Sequence, residues 1–159
     1  MKHKSLFLIP VLALSFFCSC KKCPCGPAEG LLPAFIGYTE AQTDTLILRR
    51  YANTGNFNQL MDTLLINQPL LGFTRNNDTL SPSYNSISIP MVEGNDYEIA
   101  VPAINKTYRI SGILEVKNSM ACGGIFSMDK RYCVNPVDVY YINGEKTKPI
   151  PYGRFVYLR

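Results

Sequence analysis

Apolar residues recur at every second position along most of the chain. In Thr43–Tyr51 (TDTLILRRY), Leu46 and Leu48 share one face, and in Leu60–Asn67 Leu64 and Ile66 do the same. Ser86–Pro90 places Ile87 and Ile89 two apart. Tyr97, Ile99 and Val101 alternate with Glu98 and Ala100. Tyr108, Ile110, Leu114 and Val116 have one parity, with Arg109, Ser111 and Glu115 opposite. Val137, Val139 and Tyr141 form another set, and Val156 and Leu158 close the chain. Successive side chains of a strand point to opposite faces, so this period predicts half-buried antiparallel strands.

The punctuation between these stretches agrees. Asn143-Gly144 is a type I′ hairpin signal, because both residues tolerate positive φ. Asn105-Lys106, Asn76-Asn77-Asp78 and Glu93-Gly94-Asn95-Asp96 read as turns. Pro90, Pro102 and Pro136 cannot donate to a ladder and mark strand ends, edges or bulges. One helical turn is expected over Asn56–Met61. The resulting expectation is an all-β fold: an immunoglobulin-like antiparallel β-sandwich of about seven or eight strands, with a small β-barrel as the alternative.

The first residues follow a different logic. Met1-Lys2-His3-Lys4 is a short cationic start, and Ser5–Phe17 (SLFLIPVLALSFF) is an apolar run of export-signal length with Pro10 inside it. The run ends in Phe17-Cys18-Ser19-Cys20-Lys21-Lys22. This resembles the lipobox of bacterial lipoproteins, in which signal peptidase II cuts before a cysteine that carries diacylglycerol. Ser19 matches the small residue before the cut and Cys20 the lipidated residue. Phe17 and Cys18 depart from the usual pattern, as in the looser lipoboxes of Bacteroidota. The chain as a whole is similar to small outer-membrane lipoproteins of that group. The resemblance implies a signal peptide at 1–19, a lipid anchor at Cys20 and residence at the outer membrane. Lys21 and Lys22 leave periplasmic and cell-surface orientations both open. Residues 20–33, with Pro24, Gly26, Pro27, Gly30 and Pro33, read as an extended tether, and 34–159 as a single domain.

Composition narrows the partners. The 159 residues are 47% hydrophobic and 18% charged, enough to build a core. The net charge of +4 includes Lys2 and Lys4, which lie in the expected signal, so the mature chain is too weakly basic to suggest nucleic acid. The single histidine is His3, and there is no Trp. A mature chain without histidine lacks the commonest general base and metal ligand. No metal and no cofactor is expected.

Six cysteines imply disulfides in an oxidising compartment. With Cys20 lipidated, Cys23, Cys25, Cys122 and Cys133 remain, and three connectivities are open. A Cys122–Cys133 bridge would staple a local loop of about ten residues, worth roughly 2–3 kcal/mol, and is preferred. Cys23–Cys25, one residue apart, would be strained. The crossed pairings would instead pin the tether to the domain.

Catalytic motifs are missing. There is no G-x-S-x-G, P-loop, G-x-G-x-x-G or S-x-x-K, and Asn76–Thr79 lacks the spacing of a calcium loop. Carboxylates such as Asp129, Asp138, Glu98 and Glu115 form no recognisable pair, so no catalytic residue is assigned and no enzyme is expected. Tyr140-Tyr141, Tyr152 and Tyr157 cluster late in the chain beside Arg154 and Arg159, and an exposed tyrosine face there would stack on sugars or a partner protein. Asp44-Thr45-Leu46, Asp62-Thr63-Leu64 and Asp78-Thr79-Leu80 repeat one tripeptide. It resembles the sequon at which Bacteroidota O-glycosylate exported proteins, which would make Thr45, Thr63 and Thr79 acceptors. Equally, a turn residue, a β-branched residue and an apolar one simply open a strand.

The expectation is therefore a membrane-anchored, non-catalytic binding or scaffold module of the cell envelope. A glycan-binding accessory lipoprotein of a nutrient-uptake system is the alternative, and a carboxylate-based hydrolase the third reading.

Overall fold

The alternating stretches become strands in a computed structural model, which describes residues 22–67, 72–82, 90–121, 133–149 and 154–159. In chain order these are β1 (Lys22–Pro24), β2 (Leu32–Ile36), β3 (Thr45–Ala52), β4 (Leu60–Asn67), β5 (Thr74–Asn76), β6 (Thr79–Ser81), β7 (Asn95–Val101), β8 (Lys106–Glu115), β9 (Ser119–Ala121), β10 (Val137–Ile142), β11 (Glu145–Thr147) and β12 (Phe155–Leu158). Two short 3₁₀ turns, Ala41–Thr43 and Pro102–Ile104, complete the regular structure among the described residues.

A six-stranded sheet has the order β11-β10-β8-β7-β3-β4, and a four-stranded sheet the order β12-β2-β6-β5. β1 and β9 form a separate antiparallel ribbon. Leu46, Leu48, Tyr97, Ile99 and Ile110 from the larger sheet meet Phe35, Leu80, Val156 and Leu158 from the smaller in one buried cluster. Each fully buried aliphatic side chain there contributes about 1.5–3 kcal/mol. The molecule is thus the all-β sandwich that the alternation implies, and neither sheet closes into a barrel among the described residues. Strands outnumber the expectation because β1, β5, β6, β9 and β11 are only three residues long.

Local turn chemistry behaves as read. Asn143 and Gly144 both have positive φ, at 51° and 87°, and join β10 to β11. Asn77 takes φ 53° between β5 and β6, and Asn105 takes φ 51° ahead of β8. The helical turn expected over Asn56–Met61 does not form. Phe57 has φ 51°, and β4 begins at Leu60.

Parity fails in one strand, for a clear reason. Tyr108 and Ile110 face inward, but Gly112 adopts φ 57° and shifts the register of β8 against β10. Ile113 is consequently buried, while Leu114 is 51% exposed and Val116 40%. The same shifts bury Val139 and Tyr140 in place of Tyr141. An extra residue in one strand reverses every side chain after it.

The segment read as a tether is largely part of the sandwich. β1 pairs with β9, Leu31 and Leu32 are buried, and β2 lies inside the four-stranded sheet between β12 and β6. Gly30 allows the entry, with φ 84° and Pro90 so close that a Cβ would lie 2.3 Å from its side chain. Proline and glycine here shape a turn against a neighbouring chain instead of freeing the backbone. Pairing of Cys133 is corrected as well. It bonds to Cys25, 108 residues away, and not to Cys122. Gly26 and Val134 form a parallel bridge beside it, and Asn135 N donates to Gly26 O at 2.9 Å. This backbone pairing seats Cys25 against Cys133, a long-range contact no local spacing reveals. Cys18, Cys20 and Cys122 lie outside the described residues.

At one end the two sheets are tied by polar groups. The hydroxyls of Tyr38 and Tyr108 meet, and Tyr108 also donates to the main-chain oxygen of Arg159, as does Lys106. The Lys106 ammonium sits 5.1 Å from the Tyr108 ring centre and 5.7 Å from that of Tyr38. Burial pushes the Tyr108 hydroxyl up to about 12, against the opposing pull of Lys106.

Candidate functional site

The two outer faces of the sandwich differ. On the six-stranded sheet, strand register sets Arg49 opposite Glu98 and Glu98 opposite Arg109. Glu98, nearly buried, pairs with Arg49 and, at 3.4 Å, with Arg109. The β3–β4 loop folds over the neighbouring positions. Phe57 packs on Tyr51 with ring centres 5.5 Å apart and lies 5.3 Å from the Arg109 guanidinium. Gly55 N donates to the fully buried Asp96 at 3.1 Å. The other Asp96 oxygen is buried with no partner among the described residues. On this face Arg49, Glu98 and Arg109 pair with one another.

The outer face of the four-stranded sheet is partly exposed: Leu32 and Ala34 of β2 are buried, while the positions around them line a groove. On β12, Val156 and Leu158 point into the core, so Phe155 and Tyr157 point out. On β2 and β6, Phe35 and Leu80 face inward and are paired, which turns the neighbouring pair Ile36 and Thr79 outward. The β5–β6 turn adds Asn76, Asn77 and Asp78. Together with Ser81 and Arg159 these residues line a groove of about 480 Å³. The size falls within the range of about 300–1,000 Å³ usual for small-molecule sites. One wall is aromatic, with the Phe155 and Tyr157 rings 6.3 Å apart and tilted by 59°. The Asn76–Asp78 turn, Thr79 and Ser81 add amide, carboxylate and hydroxyl groups to the lining. Among the described residues, the side chains of Asn76, Asn77 and Asp78 engage no other protein group. Arg159 is held at the end of the groove through its main-chain oxygen by Lys106 and Tyr108.

Of the binding residues expected from sequence, Tyr157 lines this groove. Tyr140 does not, being 1% exposed in the core, and burial raises its hydroxyl pKa. β10 is irregular against β8, which sends Tyr140 inward. Arg154 lies just before β12, is ion-paired with Glu29 and does not line the groove. Tyr152 lies outside the described residues. Sequence reading missed Phe155 and Ile36, and took Asn76–Asp78 only for a turn. The alternation of Phe155 and Tyr157 with Val156 and Leu158 was the available signal.

The three Asp-Thr-Leu tripeptides all turn threonine away from the core. Leu46 and Leu80 are buried, and Leu64 packs against the core cluster. Thr45 and Thr79 begin strands, but Thr63 sits in the middle of β4 and is the exposed one of the three. Strand opening therefore accounts for two tripeptides and not the third. One carboxylate, Asp78, lines the groove. Among the described residues no cluster of three acidic, histidine or cysteine side chains is placed to hold a metal ion. No protein-family model, no curated protein and no solved structure matches the chain.

Proposed function

We propose that the protein is a lipid-anchored binding module of the bacterial outer envelope, acting without catalysis through the open groove of its smaller sheet. The groove carries the reading: its aromatic wall and uncommitted amides offer contacts that the closed face of the larger sheet spends on itself. A single carboxylate favours binding over hydrolysis by a carboxylate pair, which needs two across a cleft. The anchor reading rests on Phe17–Lys22. It fits the fold in that β1 starts at Lys22, so a cut before Cys20 removes none of the described strands. Two or more acyl chains on Cys20 would hold the sandwich firmly at the bilayer.

The test is intact-mass analysis and fractionation of the full chain expressed in a host with lipoprotein processing. We expect a mature chain beginning at an acylated Cys20 and sedimenting with outer membrane, and a Cys20→Ala chain that is not acylated. An unmodified amino terminus elsewhere would overturn the anchor. Protease treatment of whole cells distinguishes the periplasmic from the surface face.

A further inference from the structure

We propose that the groove of the four-stranded sheet binds a neutral carbohydrate, one sugar ring stacking on Tyr157 and its hydroxyls engaging Asn76, Asn77 and Asp78. The inference rests on the reading of the groove as the binding site and names its ligand class.

Chemical complementarity selects the class. A pyranose has an apolar C–H face and a rim of hydroxyls. It needs an aromatic platform beside groups that both donate and accept hydrogen bonds. The groove lining supplies both, the rings of Phe155 and Tyr157 and the polar groups of the Asn76–Asp78 turn. Tyr157 is half-buried, and its cross-strand partner Ala34 is fully buried. Asparagine side chains carry two donors and an acceptor each, and the Asp78 carboxylate accepts two hydroxyls at once. The lining charges, Asp78 and Arg159, cancel, which favours an uncharged ligand over a uronate or a phosphate. The groove is too polar for an acyl chain and too weakly cationic for nucleic acid. Strand register fixes both walls: Thr79 is paired to Ile36 on one side and Asn76 on the other, so the platform and the turn are parts of one rigid sheet. A preformed site of this kind costs little ordering on binding.

Thr79 makes the proposal sharper. It lines the same groove, so a glycan attached to its hydroxyl would occupy the site itself. External binding and modification at Thr79 exclude each other.

The decisive experiment takes the full chain, purified from membranes in detergent, onto an array of neutral and acidic polysaccharides. Titration calorimetry follows with any oligosaccharide that binds. We expect binding to neutral members. Tyr157→Ala should weaken it about tenfold or more, while Tyr157→Phe, which keeps the ring, should stay within about threefold. Asp78→Asn should weaken it several-fold, and Thr63→Ala on the other sheet should leave it unchanged. Circular dichroism confirms that each variant folds. Three outcomes overturn the proposal: binding confined to acidic polysaccharides, binding indifferent to Tyr157 and Asp78, or a hexose mass mapped to Thr79. An array that stays silent while photo-crosslinking from the groove captures an envelope protein removes the ligand class but keeps the binding module. Silence in both removes both.

Discussion

The two sheets are built from the same kind of strand and yet by different means. In the larger one, β3 pairs with β4, β7 with β8, and β10 with β11, all neighbours in sequence. Its outer face is closed by Arg49, Glu98 and Arg109 and by the Phe57 loop. The smaller sheet joins one local hairpin, β5–β6, to the remote strands β2 and β12, with β12 parallel to β2. Its outer face carries the groove beside the buried Leu32 and Ala34. Local hairpins can form early because loop closure is inexpensive, whereas remote strands must be held by specific long-range contacts. The difference teaches where stability and function are separately invested. The large sheet is assembled mainly from hairpins, and the place of the small sheet depends on a few long-range fastenings.

Those fastenings should fail first. Cys25→Ser opens a covalent loop spanning 108 residues, which in the chain-entropy model removes about 5 kcal/mol. We expect a urea midpoint lowered accordingly. Hydrogen exchange should accelerate in β2, β6 and β12 more than in β3 and β7. Equal acceleration in both sheets would erase the distinction drawn between them. Gly30→Ala comes next, at about 3 kcal/mol. An L-residue at φ 84° is strained, and its Cβ would collide with Pro90. The same turn aligns the reciprocal main-chain bonds between Leu31 and Met91, at 2.7 and 2.9 Å. Thermal unfolding of the variant measures the cost.

These two positions also mark what was readable in advance. The larger sheet was legible from its alternation, and Asn143-Gly144 named its own turn type. The smaller sheet was half hidden. Leu31 and Leu32 sit among prolines and glycines that, by composition, signal a spacer. Only the contact with Pro90 and Met91, some sixty residues on, turns them into a strand entry. Leu114 was misassigned for a related reason: alternation alone cannot tell which side of a bulge a residue lies on, and Gly112 supplies that answer only through its φ. The groove combines these difficulties. Tyr157 was nominated, but Ile36 and Thr79 reach it through the β2–β6 pairing, which is non-local and invisible to any window on the chain.

The joint between the sheets can be weakened by pH. Burial raises the hydroxyls of Tyr97 and Tyr140, and that of Tyr108 to about 12 from an ordinary value of 10.0. The folded protein therefore holds these protons more tightly than the unfolded chain does. The Tyr108 contribution is complete below pH 10.0 and is lost as pH rises through about 12, and those of Tyr97 and Tyr140 are likewise lost above pH 10.0. Denaturant titrations across this range should show stability falling, with a shallower slope for Tyr108→Phe. On the closed face, Glu98→Gln leaves Arg49 and Arg109 facing each other across the sheet without the intervening charge. Both arginines are partly solvated, so screening limits the cost to about 1–2 kcal/mol.

The smallest effect on stability belongs to the open face, and it is the most informative about function. Asp78 is exposed in the β5–β6 turn, its side chain uncommitted and its main-chain oxygen accepting from Gly37 N at 2.8 Å. Asp78→Asn keeps the size and turn preference of the side chain and leaves that backbone bond intact. Stability should therefore change by less than about 0.5 kcal/mol, the usual range for exposed sites. If the groove binds, the same substitution must register in ligand affinity. A variant indistinguishable from the parent in both measurements would make the open face merely unoccupied surface. One that lost several kcal/mol of stability would mean that Asp78 closes its sheet as Glu98 closes the other. Only a stable protein with weakened binding keeps the two faces apart in the way their geometry implies.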